Sequence, residues 1–144
     1  MTTLGFIGLG DMGLPMARRL LATGNKVVAW NRSAAKLEAL IANGARAAET
    51  PSDVAARADL IGLCLTSHEA VEEIAWGAHG LFAAPLSGRK VVADFSTGSP
   101  SSAAAFATRA KAHGAFWVDA PVKGGFADSL PLQIFGPRMA AHRF

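Results

Sequence analysis

Gly8, Gly10 and Gly13 stand at the spacing G-x-G-x-x-G, directly after the apolar run Thr3 to Ile7 and at the head of a segment with helical period. That position suits phosphate chemistry. The first amides of a helix have no partner within it and carry the positive end of its dipole, so they can hold an anion. In a strand-turn-helix setting the three glycines do different things. Gly8 allows the tight turn, Gly10 lets backbone approach a pyrophosphate, and Gly13 lets the helix pack close to the sheet. Leu9, Asp11 and Met12 lie between them, and Gly8 to Gly13 form the candidate pyrophosphate contact of a dinucleotide site. Glycines also recur in ordinary turns, so the motif draws its force from the flanking elements. No G-K-[ST] follows, which excludes a nucleotide-hydrolysing phosphate loop.

A second cluster, Asn31-Arg32-Ser33, closes the next apolar run, Lys26 to Trp30. An NAD site usually offers a carboxylate there to the ribose hydroxyls, and this chain has none. A guanidinium can pair with a 2′-phosphate and Ser33 can add a hydrogen bond, so the segment favours NADP(H) over NAD(H). The plainer reading makes Asn31 a turn residue, Arg32 a solvated charge and Ser33 a helix cap.

Short apolar runs alternate with longer helical segments along the chain. The strands expected are Thr3 to Ile7, Lys26 to Trp30, Ala45 to Ala47, Leu60 to Leu65, Val91 to Phe95 and Ala115 to Val118. The helices expected are Met12 to Thr23, Ala34 to Asn43, Ser67 to Ala75 and Ser101 to His113. In the first, Met12, Pro15, Met16, Arg19, Leu20 and Thr23 recur at helical spacing and define the expected buried stripe. Gly24, Gly44 and Gly114 follow helices as left-handed caps, and Pro51 and Pro100 precede helix starts. This order specifies an α/β fold of Rossmann type, doubly wound, with a mainly parallel sheet and helices on both faces.

The 144 residues, 51% of them hydrophobic, suffice for one core without disulfides. Cys64 is the single cysteine and lies in an apolar run, which reads as a reduced core residue. The net charge of +3 is modest and its cations are scattered, so no nucleic-acid surface is expected. The N-terminus lacks the pattern of a signal peptide and no run is long enough to span a membrane, which makes a cytoplasmic protein the expectation. The histidines, Cys64 and the carboxylates show no metal-ligand spacing, and no metal is expected. There is no G-x-S-x-G elbow for a serine hydrolase.

Gly5 to Ala17 followed by Trp30 to Ser33 resembles the start of the β-hydroxyacid dehydrogenase family, which includes the 3-hydroxyisobutyrate and 6-phosphogluconate dehydrogenases and the NADPH-dependent glyoxylate and succinic semialdehyde reductases. Three further segments carry the resemblance. Leu63-Cys64-Leu65-Thr66-Ser67 is similar to the family's cofactor-contacting loop, which makes Leu65 and Thr66 cofactor candidates. Asp94-Phe95-Ser96-Thr97-Gly98 resembles the D-x-S-T segment beside the nicotinamide, which puts Thr97 with the cofactor and Ser96 with the substrate. Asp119 to Gly125 resembles the family's D-A-P-V-S-G-G, whose serine and glycines hold a substrate carboxylate. Gly124 and Gly125 keep that pattern and Lys123 replaces the serine. As a cation it can attract a carboxylate or simply stand in solvent. The imine reductases share the same front half. The resemblance implies NADPH use and reversible reduction of a short carbonyl acid.

The resemblance covers residues 1–125, the expected NADP-binding domain, and residues 126–144 form an atypical tail in which Leu132 to Phe135 is a candidate edge strand. The family continues into a helical domain that carries its catalytic lysine, and after Lys123 this chain has no lysine. A truncation or a shifted frame near Gly125 is therefore expected, with little turnover. Hydride transfer also needs a proton donor for the developing alkoxide, and Lys123, Ser96, Thr97 and His68 are the substitutes available. His68 opens a helical segment and reads more simply as a capping or surface residue. Asp94 and Asp119 end strands and are expected to fix the loops after them. Two further outcomes stand beside the enzyme reading. One is a non-catalytic NADP(H)-binding module that self-associates through the face left uncovered, and the other is a fragment without function.

Overall fold

The computed structural model describes residues 2–123, 133–134 and 138–139. The elements follow in the order β1 (Thr3–Ile7), α1 (Gly13–Ala22), β2 (Lys26–Trp30), α2 (Ala34–Ile41), β3 (Arg46–Ala47), α3 (Pro51–Arg57), β4 (Leu60–Leu63), α4 (His68–Trp76), β5 (Lys90–Asp94), α5 (Pro100–Ala112), β6 (Ala115–Asp119), β7 (Val122–Lys123), β8 (Gln133–Ile134) and β9 (Arg138–Met139).

The main sheet has the strand order β3-β2-β1-β4-β5-β6-β9, parallel from β3 to β6 with β9 antiparallel at the edge. This is the doubly wound α/β fold. Val27 and Ala29 of β2, with Phe6 of β1, pack with Ala17 of α1 and Leu40 of α2 on one face. Val28, Ile7, Ile61, Leu63, Val92 and Trp117 pack on the other against α3, α4 and α5. Alternate residues of these strands thus enter two different cores, which explains their continuous apolar runs. The order reverses between β1 and β4, and a crevice opens beyond their carboxyl ends. No helix among the described residues is long and apolar enough to cross a membrane.

Several expectations are corrected in detail. Strand β4 ends at Leu63, two residues early, because Cys64 N–H still donates to Ile7 but Leu65 N–H turns away to the Ser96 hydroxyl. Cys64 is therefore half-buried in the following loop and is not a strand core residue. The buried face of α1 is Gly13 and Ala17, with Leu14, Met16, Leu20 and Leu21 flanking, while Arg19 and Thr23 of the expected stripe are exposed. Small residues face the sheet there so that the helix can approach it. Helix α3 is additional to the four expected. Its seven residues are too few to display a period, although Thr50 caps it by accepting from Asp53 N–H and Pro51 opens it. Gln133–Ile134, within the expected edge strand, pairs with β7 in a separate two-stranded ladder, and the edge of the main sheet is β9.

Candidate functional site

The crevice at the strand reversal is a cavity of about 420 Å³. Three loops line it. Gly8, Leu9 and Gly10 come from the turn after β1, Trp30 to Ser33 and Lys36 from the end of β2 and the start of α2, and Cys64, Leu65 and Thr66 from the loop after β4, with Ala70 and Ile74 of α4 behind.

The glycine turn is held by what a side chain would displace. Gly8 has φ +94°, a left-handed conformation, and a Cβ on it would strike the Cys64 carbonyl. A Cβ on Gly13 would strike the carbonyl of Gly8, so α1 leaves the turn at a distance only glycine allows. Gly10 differs. A Cβ there would meet nothing within 4 Å, because it faces the open cavity. Such a cradle of free backbone fits a pyrophosphate.

Asn31 ties this turn to the second strand. Its side-chain oxygen accepts from Leu9 N–H at 2.9 Å and its amide donates to the Ser33 carbonyl at 3.1 Å. Arg32 and Ser33 are exposed beside it. Ser33 occupies the cap position of α2, yet its hydroxyl makes no capping bond. Arg32 has no ion-pair or hydrogen-bond partner among the described residues. No carboxylate lines the cavity among the described residues, whereas Arg32 and Lys36 both do.

On the far side, Ser96 is 5% exposed and its hydroxyl accepts from Leu65 N–H at 2.8 Å. The carboxylate of Asp94, also buried, accepts from Ser96 N–H at 2.9 Å. Burial pushes the Asp94 carboxyl above its usual range, with the Asp119 charge adding to the rise and the bonds from Ser96 opposing it. Burial, and then the nearby Asp94, pushes the Cys64 thiol up to about 11.

Of the residues singled out in the sequence, the structure brings Gly8, Leu9, Gly10, Asn31, Arg32, Ser33, Leu65 and Thr66 to one cavity. Gly13 lies beneath it and Met12 is the residue before α1. Asp11 is outside the lining and reaches Lys36 at 3.7 Å. Thr97 is exposed in the loop after β5, and Lys123 belongs to β7. Gly124 and Gly125 lie outside the described residues. His68 follows the true cap, Ser67, stacks on Phe106 at 4.8 Å between ring centroids and stands 3.5 Å from a Glu72 carboxylate oxygen. Lys36, Ala70 and Ile74 escaped the sequence reading. Lys36 could have been found, since it lies three residues beyond Ser33 in the first turn of α2 and returns to the same side.

The sequence pattern of the NAD binding domain of 6-phosphogluconate dehydrogenase matches residues 3–133. The chain is 43% identical over 122 residues to 2-(hydroxymethyl)glutarate dehydrogenase of Eubacterium barkeri, covering 85% of this chain and 40% of that protein. Its fold matches 3-hydroxyisobutyrate dehydrogenase of Mycobacterium tuberculosis, solved with L-serine, with TM-score 0.82 and 29% identity over 97% of this chain and 48% of that one. It matches the reductive aminase of Aspergillus terreus, solved with NADPH and ethyl-5-oxohexanoate, with TM-score 0.78 and 35% identity over 88% of this chain and 42% of that one. The chain thus spans less than half the length of each of these three relatives.

Proposed function

This chain belongs to the family of the NAD binding domain of 6-phosphogluconate dehydrogenase, and we propose that it binds NADP(H) in preference to NAD(H) as the cofactor-holding part of an oxidoreductase acting on a short carbonyl or hydroxy acid. The observation that carries the preference is the end of β2. Arg32 and the Ser33 hydroxyl are both unengaged beside a cavity whose described lining has two cations and no carboxylate. An adenosine 2′-phosphate satisfies all of these groups, and a bare ribose satisfies none of the charge.

The bound nicotinamide would supply or accept a hydride. The chain's own residues hold and orient. Gly8 to Gly13 receive the pyrophosphate on backbone amides, Asn31 fixes that turn against β2, and the loop at Leu65 and Thr66 closes the other side. Ser96 holds this last loop by accepting from Leu65 N–H. Its hydroxyl hydrogen is still free to meet a substrate oxygen, and with Thr97, Lys123, Gly124 and Gly125 it makes up the proposed substrate side. The catalytic residue belongs, on this reading, to a helical part beyond the domain of residues 1–125, so the chain alone turns over weakly. Similarity to the reductive aminase favours imines as a second substrate class. The lone chain acting as a non-catalytic NADP(H)-binding module is the remaining alternative.

The test is the thermal midpoint with NADPH, with NADH and with neither. A ligand at a hundred times its dissociation constant stabilises by about 2.7 kcal/mol, a shift of several degrees for a domain of this size. A larger shift with NADPH is expected. Equal shifts would remove the preference, and a cooperative melt that neither nucleotide moves would remove the binding site.

A further inference from the structure

Asp11 is the first of the two variable residues between Gly10 and Gly13, and it alone among the turn's residues carries a negative charge. Its carboxylate reaches from the turn after β1 to the Lys36 ammonium on α2 at 3.7 Å, with side-chain exposures of 77% and 45%. Lys36 lines the cavity on the same side as Arg32 and Ser33. The ion pair therefore joins the phosphate-holding turn to the helix that starts beside Arg32.

We infer that Asp11 sets the strength of nucleotide discrimination by competing with the 2′-phosphate for Lys36. The inference rests on the reading that the 2′-phosphate lies against Arg32 and Ser33. When a 2′-phosphate arrives, Lys36 must give up Asp11 to pair with it, so part of the second cation's attraction is offset. NADH has no 2′-phosphate and leaves the pair intact. Asp11 also stands beside the pyrophosphate turn, where its charge opposes any dinucleotide. These two effects differ in what they touch. Competition for Lys36 alters NADPH alone, whereas repulsion at the pyrophosphate alters both nucleotides alike.

A double-mutant cycle separates them. Binding of NADPH and NADH to the full chain, its Asp11→Asn and Lys36→Ala variants and the double variant is titrated by quenching of tryptophan emission, since Trp30 lines the cavity. Asn keeps the size of Asp and removes the charge. The expected results are a gain of about two- to fivefold in the NADPH-to-NADH affinity ratio for Asp11→Asn, the scale of an exposed ion pair, a loss in that ratio for Lys36→Ala, and no gain from Asp11→Asn once Lys36 is gone. The gain should shrink with added salt, as it does for exposed charges. An unchanged ratio in Asp11→Asn, a gain that survives without Lys36, or a Lys36→Ala variant with the parent ratio overturns the competition. If the parent chain binds both nucleotides equally or neither, the reading of the 2′-phosphate site has failed instead, and the competition falls with it.

Discussion

The side-chain oxygen of Asn31 accepts the backbone N–H of Leu9 at 2.9 Å, across 22 positions of sequence. Leu9 is fully buried, so this amide has little access to water as a substitute partner. Asn31→Ala is expected to lose about 1–3 kcal/mol of stability, the cost of leaving a buried donor unmade. It should also weaken NADPH and NADH alike, because the glycine turn loses its tether. Urea denaturation and nucleotide titration measure the two effects, and unchanged values for both would contradict the tether.

Gly10 and Gly13 should respond oppositely to one methyl group. At Gly10 the new Cβ meets nothing within 4 Å, so Gly10→Ala is expected to melt within about 0.5 kcal/mol of the parent. It should nevertheless lose nucleotide binding, because the methyl occupies the cradle. At Gly13 the Cβ strikes the Gly8 carbonyl, which is backbone and cannot step aside cheaply. Gly13→Ala is expected to lose about 1–3 kcal/mol or more. Thermal melts with and without NADPH distinguish the pair. A stable, fully binding Gly10→Ala would show that the pyrophosphate does not lie there.

The Cys64 thiol, pushed up to about 11 by burial and then by Asp94, should be slow to alkylate at neutral pH and quicken only as pH passes 9 and approaches 11. The folded chain keeps the proton while the unfolded thiol releases it near 9.0. Stability from this group is therefore lost as pH rises from about 9 towards 11 and levels off above. Asp94→Asn keeps an acceptor for Ser96 N–H and removes the charge, so the thiol pKa should fall while staying above its ordinary value. NADPH should slow alkylation, since Cys64 lines the cavity. Rapid labelling at pH 7 would contradict the buried placement.

Ser96→Ala removes the hydroxyl that holds Leu65 N–H at 2.8 Å, and nothing else in the loop replaces it. A loss of about 1–3 kcal/mol is expected in urea denaturation. If the loop is what positions the nicotinamide end, NADPH affinity should fall with it. A variant with parent stability would show that water replaces the serine.

The sheet and the cofactor turn were legible in the residues themselves because local and global preferences agree there. Strands β1 and β2 fall on Thr3–Ile7 and Lys26–Trp30 as their apolar runs predict, and Gly24, Gly44 and Gly114 adopt the positive φ that their places after helices require. G-x-G-x-x-G and Asn31-Arg32-Ser33 carry their chemistry in residue type and spacing, so the nucleotide side of the site could be named from the chain alone. Composition and period could not show that Leu65 leaves its strand for Ser96, since that bond spans 31 positions and depends on β5 lying beside β4. For the same reason Cys64 moved from core to cavity wall. Asp11 and Lys36 meet only because α1 and α2 cover the same face of the sheet. Sequence determined which groups were present and which local structures they prefer, while long-range packing decided which of them share a cavity.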